Sequence, residues 1–577
     1  MNKRNQILFV VAALVFAILL LRLAQLQMVE GNKYHRLAVE NAAKTIPAPA
    51  PRGVIFDRNG SVMVENQPVF AVEVLPQLLS GDPAKREKVL AKLSSLLGER
   101  IEFKLSAHQP IIVRDKIDLP TAIRIEEARQ QLDGVIVTSR PIRFYPYDHA
   151  AAHLLGYVGE IEARELENLQ ERGYHRGDLV GKDGIEKIYD HLIRGVDGGK
   201  QVEVNVKGEP VRLLASLDPV PGANVKLTID LPFQQAAEKA LASYIGAVVV
   251  LDPNSGEILA MASHPDYDPN LFVGPLNISK WESLAQGRHP FINRALAIYP
   301  SGSIFKVVTL TAALEEGLTR PTESFYCPGY YKINNRIAKC WKESGHGHIT
   351  AEEGLVQSCD VVFYELGRRL GADRLARYAR LFGLGEKTAV DLPQEKRGLV
   401  PTEEWKRKYL GEAWYDGDSI NYGIGQGFLQ ATPLQMAAVY AAVATGKRVR
   451  PFVVSEITKR DGEVLYQPAA ADLGPLPFKK ENLDVVRRAL MAVVSRATGR
   501  AAQVEGLAVA GKTGTAQTPG LPHAWFLCYA PAADPKIVIA AFVEHGEHGD
   551  RSAAYVAHSI LAWYKLRQTT QEAILVN

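Results

Sequence analysis

Residues 299–317 read YPSGSIFKVVTLTAALEEG, a break at Pro300 to Gly302 followed by a run with helical periodicity. Ser303 stands at the start of that helix, with Lys306 one turn on along the same face. A hydroxyl becomes a nucleophile only with a base in hydrogen-bond reach, and this spacing can supply one. Ser303-Ile304-Phe305-Lys306 is also the only Ser-x-x-Lys in the chain. Taken alone, the match reads first as a capping serine beside a solvated lysine.

Two further segments shift that reading. Ser358-Cys359-Asp360 follows downstream, and Lys512-Thr513-Gly514-Thr515 lies in the strand-like LAVAGKTGTAQ. Ser-x-x-Lys, Ser-x-Asn and Lys-Thr-Gly, in this order, form the signature of penicillin-binding enzymes. The surrounding pattern fits them. KLTID leads into Pro232 at a helix start, and AVVVLDPNSGEILAMAS (Ala247 to Ser263) reads as an antiparallel hairpin turning at Asp252 to Gly256. Helical stretches dominate from Ser303 to about Ala444. Strands return at LAVAGKTGTAQ, WFLCYAP and KIVIAAFVE, and a last helix covers about Ala553 to Leu566. Strands at both ends of the section predict an α+β domain around one antiparallel sheet closed by its terminal strands.

On these residues the chain resembles the class B penicillin-binding proteins over nearly its whole length. YPSGSIFK, NYGIGQGFLQATPLQ (Asn421 to Gln435) and KTGTAQ…HAWFLCYAP are similar to the catalytic domain of that class. RGVIFDRNG (Arg52 to Gly60) and GKDGIEKIYDHLIRG (Gly181 to Gly195) are similar to its N-terminal pedestal. CWKESGHG (Cys340 to Gly347) and the Ser-Cys-Asp middle motif make it most similar to the elongation-type branch, penicillin-binding protein 2. The resemblance implies a penicilloyl-serine transferase (β-lactamase-like) domain over 225–568, with an antiparallel sheet and a helical part. It implies an elongated mixed α/β pedestal of the dimerisation type over 45–215. The implied activity is that of a peptidoglycan D,D-transpeptidase, cross-linking stem peptides and inhibited by β-lactams. The implied partners are a RodA-type glycosyltransferase and other elongation-complex proteins, with no organic cofactor.

The chemistry can be followed residue by residue. Ser303 attacks the carbonyl of a terminal D-Ala–D-Ala bond, giving an acyl-enzyme that an amine of a neighbouring stem peptide then takes over. Lys306 serves as base only when neutral; burial and a second cation, Lys512, favour that form. By family analogy Ser358 relays the proton to the leaving amine. Lys512, Thr513 and Thr515 suit the substrate's terminal carboxylate. Backbone N–H groups of Ser303 and Thr515 would make the oxyanion hole, and Gly514 would let substrate backbone approach the strand. Asp360 stands where Asn is commonest. A carboxylate there adds negative charge beside Lys306 and puts the substrate-binding role of that amide in doubt.

Three of the four cysteines gather near the middle motif: Cys327, Cys340, His346 and Cys359 follow one another as C-x12-C-x5-H-x12-C. One reading is a Cys327–Cys340 disulfide with Cys359 buried and free; the other is a closed Cys3His structural zinc site. The resemblance adds weight to zinc, because the elongation-type branch holds a metal here with mixed carboxylate, His and Cys ligands. His348 rivals His346, and Cys528 reads as an ordinary strand residue.

The N-terminus sets the compartment. Ile7 to Leu21 is an unbroken apolar run after Lys3 and Arg4, extendable to Leu26 if Arg22 snorkels. No small-x-small site follows it, so it reads as an uncleaved single-pass anchor over 7–26 rather than a signal peptide. Basic residues before the run place residues 1–6 in the cytoplasm and the remainder outside the inner membrane. The whole chain is 577 residues with a net charge of +3, which argues against a nucleic-acid partner. Two rival functions remain open at this level: hydrolysis, by a D,D-carboxypeptidase or tethered β-lactamase, and a scaffold that activates the glycosyltransferase without catalysis.

Overall fold

The computed structural model describes residues 3–33, 43–76, 79, 82–101, 111–204, 210–274, 288–333, 335–468 and 471–576. They form two compact units that interleave along the chain. Met1–Arg52, Asn66–Ile142 and Arg194–Gly222 make the first, and Gly53–Glu65, Arg143–Ile193 and Ala223–Asn577 the second. The stretch 45–215 therefore contributes to both.

In the first unit, the apolar run forms a helix over Lys3–Ala24 that continues as a π-helical turn over Gln25–Val29. Its apolar part, Gln6–Val29, is 24 residues long, and the hydropathy window within it is 0% buried. At 1.5 Å per residue it reaches about 36 Å, enough for a hydrocarbon core of about 30 Å. Ala43–Ala48, Gly198–Val204 and Pro210–Leu217 pair as an antiparallel sheet. A helix runs from Pro83 to Leu97, capped by the Asp82 carboxylate on the Ala84 N–H and ended by left-handed Gly98. Its Val89 and Leu93 pack with Val72, Val74 and Ile125.

The second unit is built on a five-stranded antiparallel sheet. Its order is Ile258–His264, Gly246–Leu251, Ile537–Val543, His523–Ala530 and Ala510–Ala516. Terminal strands do close it, as the sequence pattern predicts. Gly246–Leu251 and Ile537–Val543 read as continuous apolar runs because both faces are covered. Val249, Leu251, Ala540 and Phe542 join one core, and Val248, Val250, Ile539 and Ala541 the other. The first core contains the helices Lys306–Glu315 and Pro433–Thr445. The second contains Leu231–Leu241 and the start of Ala553–Val576. Cys528 sits in this second core, where burial pushes its thiol up.

One departure from the sequence reading lies inside the helical part. Two hairpins interrupt it: Ser324–Cys327 pairs with Gly347–Thr350, and Tyr330–Ile333 pairs with Arg336–Lys339. Each of these strands is only four residues long, too short to show a period of two.

The quoted RGVIF and GKDGIEK segments meet in this same unit. Arg143 Nε donates to Glu186 Oε1 at 2.6 Å and Arg143 Nη1 to the Gly53 carbonyl at 2.7 Å, with both charged side chains fully buried. Gly184 has φ +58°, and a Cβ there would stand 2.4 Å from the Gly156 nitrogen. These glycines are packing positions. We predict that Glu186→Ala, which strands a buried guanidinium, lowers stability by about 3–5 kcal/mol. The paired change Arg143→Met with Glu186→Leu should restore most of that loss in urea denaturation. Equal loss in both variants would refute the prediction.

Candidate active site

The serine lies on a turn laid against a sheet edge. Gly302 takes φ +57°, donates its N–H to the Gly425 carbonyl at 2.8 Å, and begins a 3-10 turn over Gly302–Phe305. The α-helix starts only at Lys306, so Ser303 lies within the tighter turn and not at an α-helical cap. A Cβ on Gly302 would sit 2.5 Å from the Thr515 carbonyl oxygen. Strand Ala510–Ala516 is an edge strand, and this carbonyl points from its free edge at the turn. Gly514 packs against the same turn: a Cβ there would meet Ile304 Cγ2 at 2.9 Å and the Ser301 carbonyl at 3.3 Å. Its lack of a side chain makes room for the serine turn.

The middle motif enters from the helical side. Ser358 links helix Ala351–Val356 to helix Asp360–Leu381 with φ +53°. Lys512 Nζ donates to Ser358 Oγ at 2.8 Å and to the Thr513 carbonyl at 3.0 Å. Lys306 Nζ donates to Ser358 Oγ at 3.3 Å, to the Ser358 carbonyl at 2.9 Å and to Asp360 Oδ1 at 2.7 Å. Both lysine side chains are fully buried. Among the described residues Ser303 Oγ has no hydrogen-bond partner, so Lys306 is held by Asp360 and Ser358 in this state. Burial, and then the charge of Lys306, push Lys512 well below the ordinary lysine range. The arrangement thus offers a half-buried hydroxyl next to a proton-carrying Lys–Ser–Lys chain.

Asp360 is fully engaged. Its Oδ1 pairs with Lys306, and its Oδ2 accepts the Trp341 main-chain N–H at 2.9 Å. The side chain that stands where an amide is commonest is therefore a counter-ion. Thr513 Oγ1 is shared with Thr498 Oγ1 at 2.8 Å. Gln426 Nε2 donates to the Thr515 carbonyl at 3.4 Å. The sequence reading gave no role to Thr498, Trp341 or Gln426. The last two stand in quoted motifs, and only their side-chain directions single them out.

The cysteine cluster closes next to this chain. The ligand atoms of Cys327, Cys340, His346 and Cys359 all lie within 4.8 Å of one another. His346 Nδ1 is 3.5 Å from Cys327 Sγ and 3.6 Å from Cys340 Sγ. With Zn–S of about 2.3 Å and Zn–N of about 2.0–2.1 Å, a tetrahedron has N···S edges of about 3.5–3.6 Å, so the residues fit the ion. All four cysteines are free, so Cys327 and Cys340 do not form a disulfide. A hydrogen bond between Cys359 and Cys340 pushes the Cys340 thiol down to about 5 and the Cys359 thiol up. His348 lies outside the cluster, its ring against Tyr326.

A serine turn on a sheet edge, completed by a Lys–Ser–Lys chain, defines a serine acyl transferase of the penicillin-reactive class. Comparison with known proteins makes this specific. The penicillin binding protein transpeptidase domain matches residues 246–562, and the penicillin-binding protein dimerisation domain matches 47–227. The peptidoglycan D,D-transpeptidase MrdA of Acinetobacter baumannii is 33% identical, covering 98% of this chain and 88% of that protein. Penicillin-binding protein 2 of Helicobacter pylori, solved in complex with MreC, superposes with a TM-score of 0.79 at 30% identity, covering 91% of this chain and 99% of that one. A chain of a peptidoglycan synthase complex, studied for its coordination of polymerization and crosslinking, gives 0.74 at 33% identity and 98% coverage of both. The chain belongs to the penicillin-binding protein transpeptidase family, in its penicillin-binding protein 2 branch. It is a serine D,D-transpeptidase.

The Lys512 environment gives a pH test. Its folded-state affinity for the proton is depressed, so the unfolded chain binds a proton that the folded chain does not. Stability therefore rises with pH from the depressed value up to about 10.4, by at most about 1.4 kcal/mol per unit. Lys512→Met should lose acylation by penicillin on the order of 10²–10³-fold. It should unfold no earlier than wild type at pH 7, and wild type should gain on it between pH 7 and 9. A variant clearly less stable at pH 7 would contradict this.

Proposed function

We propose that this D,D-transpeptidase cross-links peptidoglycan stem peptides through an acyl-enzyme on Ser303. The observation that carries the reading is Ser358 Oγ, held between Lys306 and Lys512 beside the serine turn. Once its own extra proton has passed through Ser358 to the neutral Lys512, Lys306 takes the Ser303 proton as Oγ bonds to the penultimate D-Ala carbonyl carbon. The C–N bond to the terminal D-Ala breaks, and the proton passes through Ser358 to that leaving amine. A hydroxyl has two acceptor lone pairs and one donor. With both lone pairs facing lysine nitrogens, the Ser358 proton is free to point at the leaving group. An amine of a second stem peptide then attacks the acyl carbon, the C–O bond to Ser303 breaks, and the proton lost by the amine returns by way of Ser358 and Lys306 to Ser303 Oγ. Water in place of that amine gives the D,D-carboxypeptidase reaction.

The developing oxyanion is served by the N–H groups of Ser303 and Thr515. Within a strand a residue's N–H and C=O point to the same side, and the Thr515 carbonyl faces the turn. Lys512, Thr513 and Thr515 would receive the terminal carboxylate. Cys327, Cys340, His346 and Cys359 would hold a zinc ion whose contribution is structural cross-linking. The N-terminal helix is read as the anchor, with the N-terminus cytoplasmic and the catalytic domain outside the inner membrane. A RodA-type glycosyltransferase is the partner this reading favours, beside an MreC-type elongation protein.

Mass spectrometry after penicillin labelling should place a stable adduct on Ser303, and Ser303→Ala should take none. An adduct on another residue refutes the assignment, and rapid turnover of penicillin would favour a β-lactamase instead. Purified protein should carry about one zinc per chain, and a chelator should expose three reactive thiols near the site. Protein without zinc would overturn the metal reading while leaving the serine chemistry intact.

A further inference from the structure

Trp341 is 56% exposed, yet both ends of the Ser358-Cys359-Asp360 loop hang on it. Its main-chain N–H donates to Asp360 Oδ2 at 2.9 Å. Its indole Nε1–H is shared between the Ser358 carbonyl at 3.1 Å and the Gln357 carbonyl at 3.2 Å. Its ring also meets His346 edge-on, with centroids 5.5 Å apart. An exposed aromatic ring is not held here by burial. What orients it is this set of polar contacts.

Ser358 needs such support. A serine with φ +53° sits in the left-handed region, which costs a non-glycine residue about 1 kcal/mol or more. Such a conformation persists only where its surroundings over-determine it. The Ser358 carbonyl accepts two donors, Lys306 Nζ and the Trp341 indole. The first belongs to the group that takes and returns the serine proton, so its hydrogens are redistributed during each acylation. The indole N–H does not titrate and keeps its hydrogen throughout.

We propose that Trp341 is a positioning residue for acyl transfer. Its indole N–H fixes the Ser358 carbonyl and its main chain fixes Asp360, which together keep Ser358 Oγ between the two lysines while protons move. Trp341 acts through Ser358 and does not touch the reacting atoms. The inference rests on the roles given above to Ser303 and Ser358.

The test uses the full chain in detergent and a fluorescent penicillin in stopped flow, separating the dissociation constant of the initial complex from the acylation rate constant. Two variants remove the indole N–H: Trp341→Phe, and replacement of Trp341 by the isosteric 3-benzothienylalanine, which keeps shape and contacts if the phenylalanine variant folds poorly. Both should lower the acylation rate constant about tenfold, the worth of one lost hydrogen bond in the transition state. The dissociation constant should stay within about twofold, and metal content and melting temperature should be unchanged. In a Ser358→Ala background the same replacement should change the residual rate less than about twofold, because the coupling runs through Ser358. An unchanged rate in the benzothienylalanine variant overturns the proposal, as does an equal loss in the Ser358→Ala background. Wild-type protein that takes no label on Ser303 overturns the underlying reading instead.

Discussion

Two lysine side chains buried around one hydroxyl set the terms for the rest of the catalytic unit. Lys306 and Lys512 both reach Ser358 Oγ, and neither is open to solvent. Two ammonium groups in such a place repel each other and lose their hydration, so one charge must be balanced and the other suppressed. Asp360 balances Lys306 at 2.7 Å, and Lys512 is pushed toward its neutral form. The same conflict that makes the cluster expensive to bury weakens the hold of Lys512 on its proton, so Lys512 can take up the one that Lys306 gives away through Ser358. It tolerates little slack, which explains why three separate elements converge on it with close-packed apolar layers behind them.

The second feature that depends on this cluster is the loop carrying Ser358. Its left-handed backbone is gripped from the catalytic side by Lys306 and from the outer side by Trp341. The next residue, Cys359, immediately precedes the helix that starts at Asp360 and contributes its sulfur to the cysteine–histidine cluster. Cys327 and Cys340 come from the two hairpins that interrupt the helical part. Phe325 and Ile349 of the same hairpins join the main core, so this segment packs directly behind the residue on which proton transfer turns.

Much of the site was legible in the sequence because its chemistry is carried by short segments with fixed spacing. Ser303 and Lys306 are one turn apart on any helix-like backbone, and Lys512 to Thr515 need only be a strand. The alternation of Val248, Val249, Val250 and Leu251 between two cores follows from the period of a strand. Other features had no local signal. The hairpins at 324–350 mix lysines and arginines with aromatics and show neither period cleanly. Arg143 and Glu186 stand 43 residues apart, and nothing near either one indicates that they are buried together. Gly514 was assigned to the substrate because a strand glycine admits some close approach, and the sequence does not say whose.

The sequence by itself determined the class of chemistry, the order of the elements, the apolar helix near the N-terminus and the gathering of three cysteines near the middle motif. These depend on residue type and spacing along the chain, which are local quantities. Only the tertiary structure decided that Asp360 is a counter-ion held by Lys306 and Trp341, that Gly514 seats the serine turn, and that Lys512 and not solvent shares Ser358 with Lys306. Those outcomes depend on which groups face each other across roughly 20 to 210 residues of chain. Burial then converts facing into energy, because a charge or a carbonyl removed from water must find its partner within the fold.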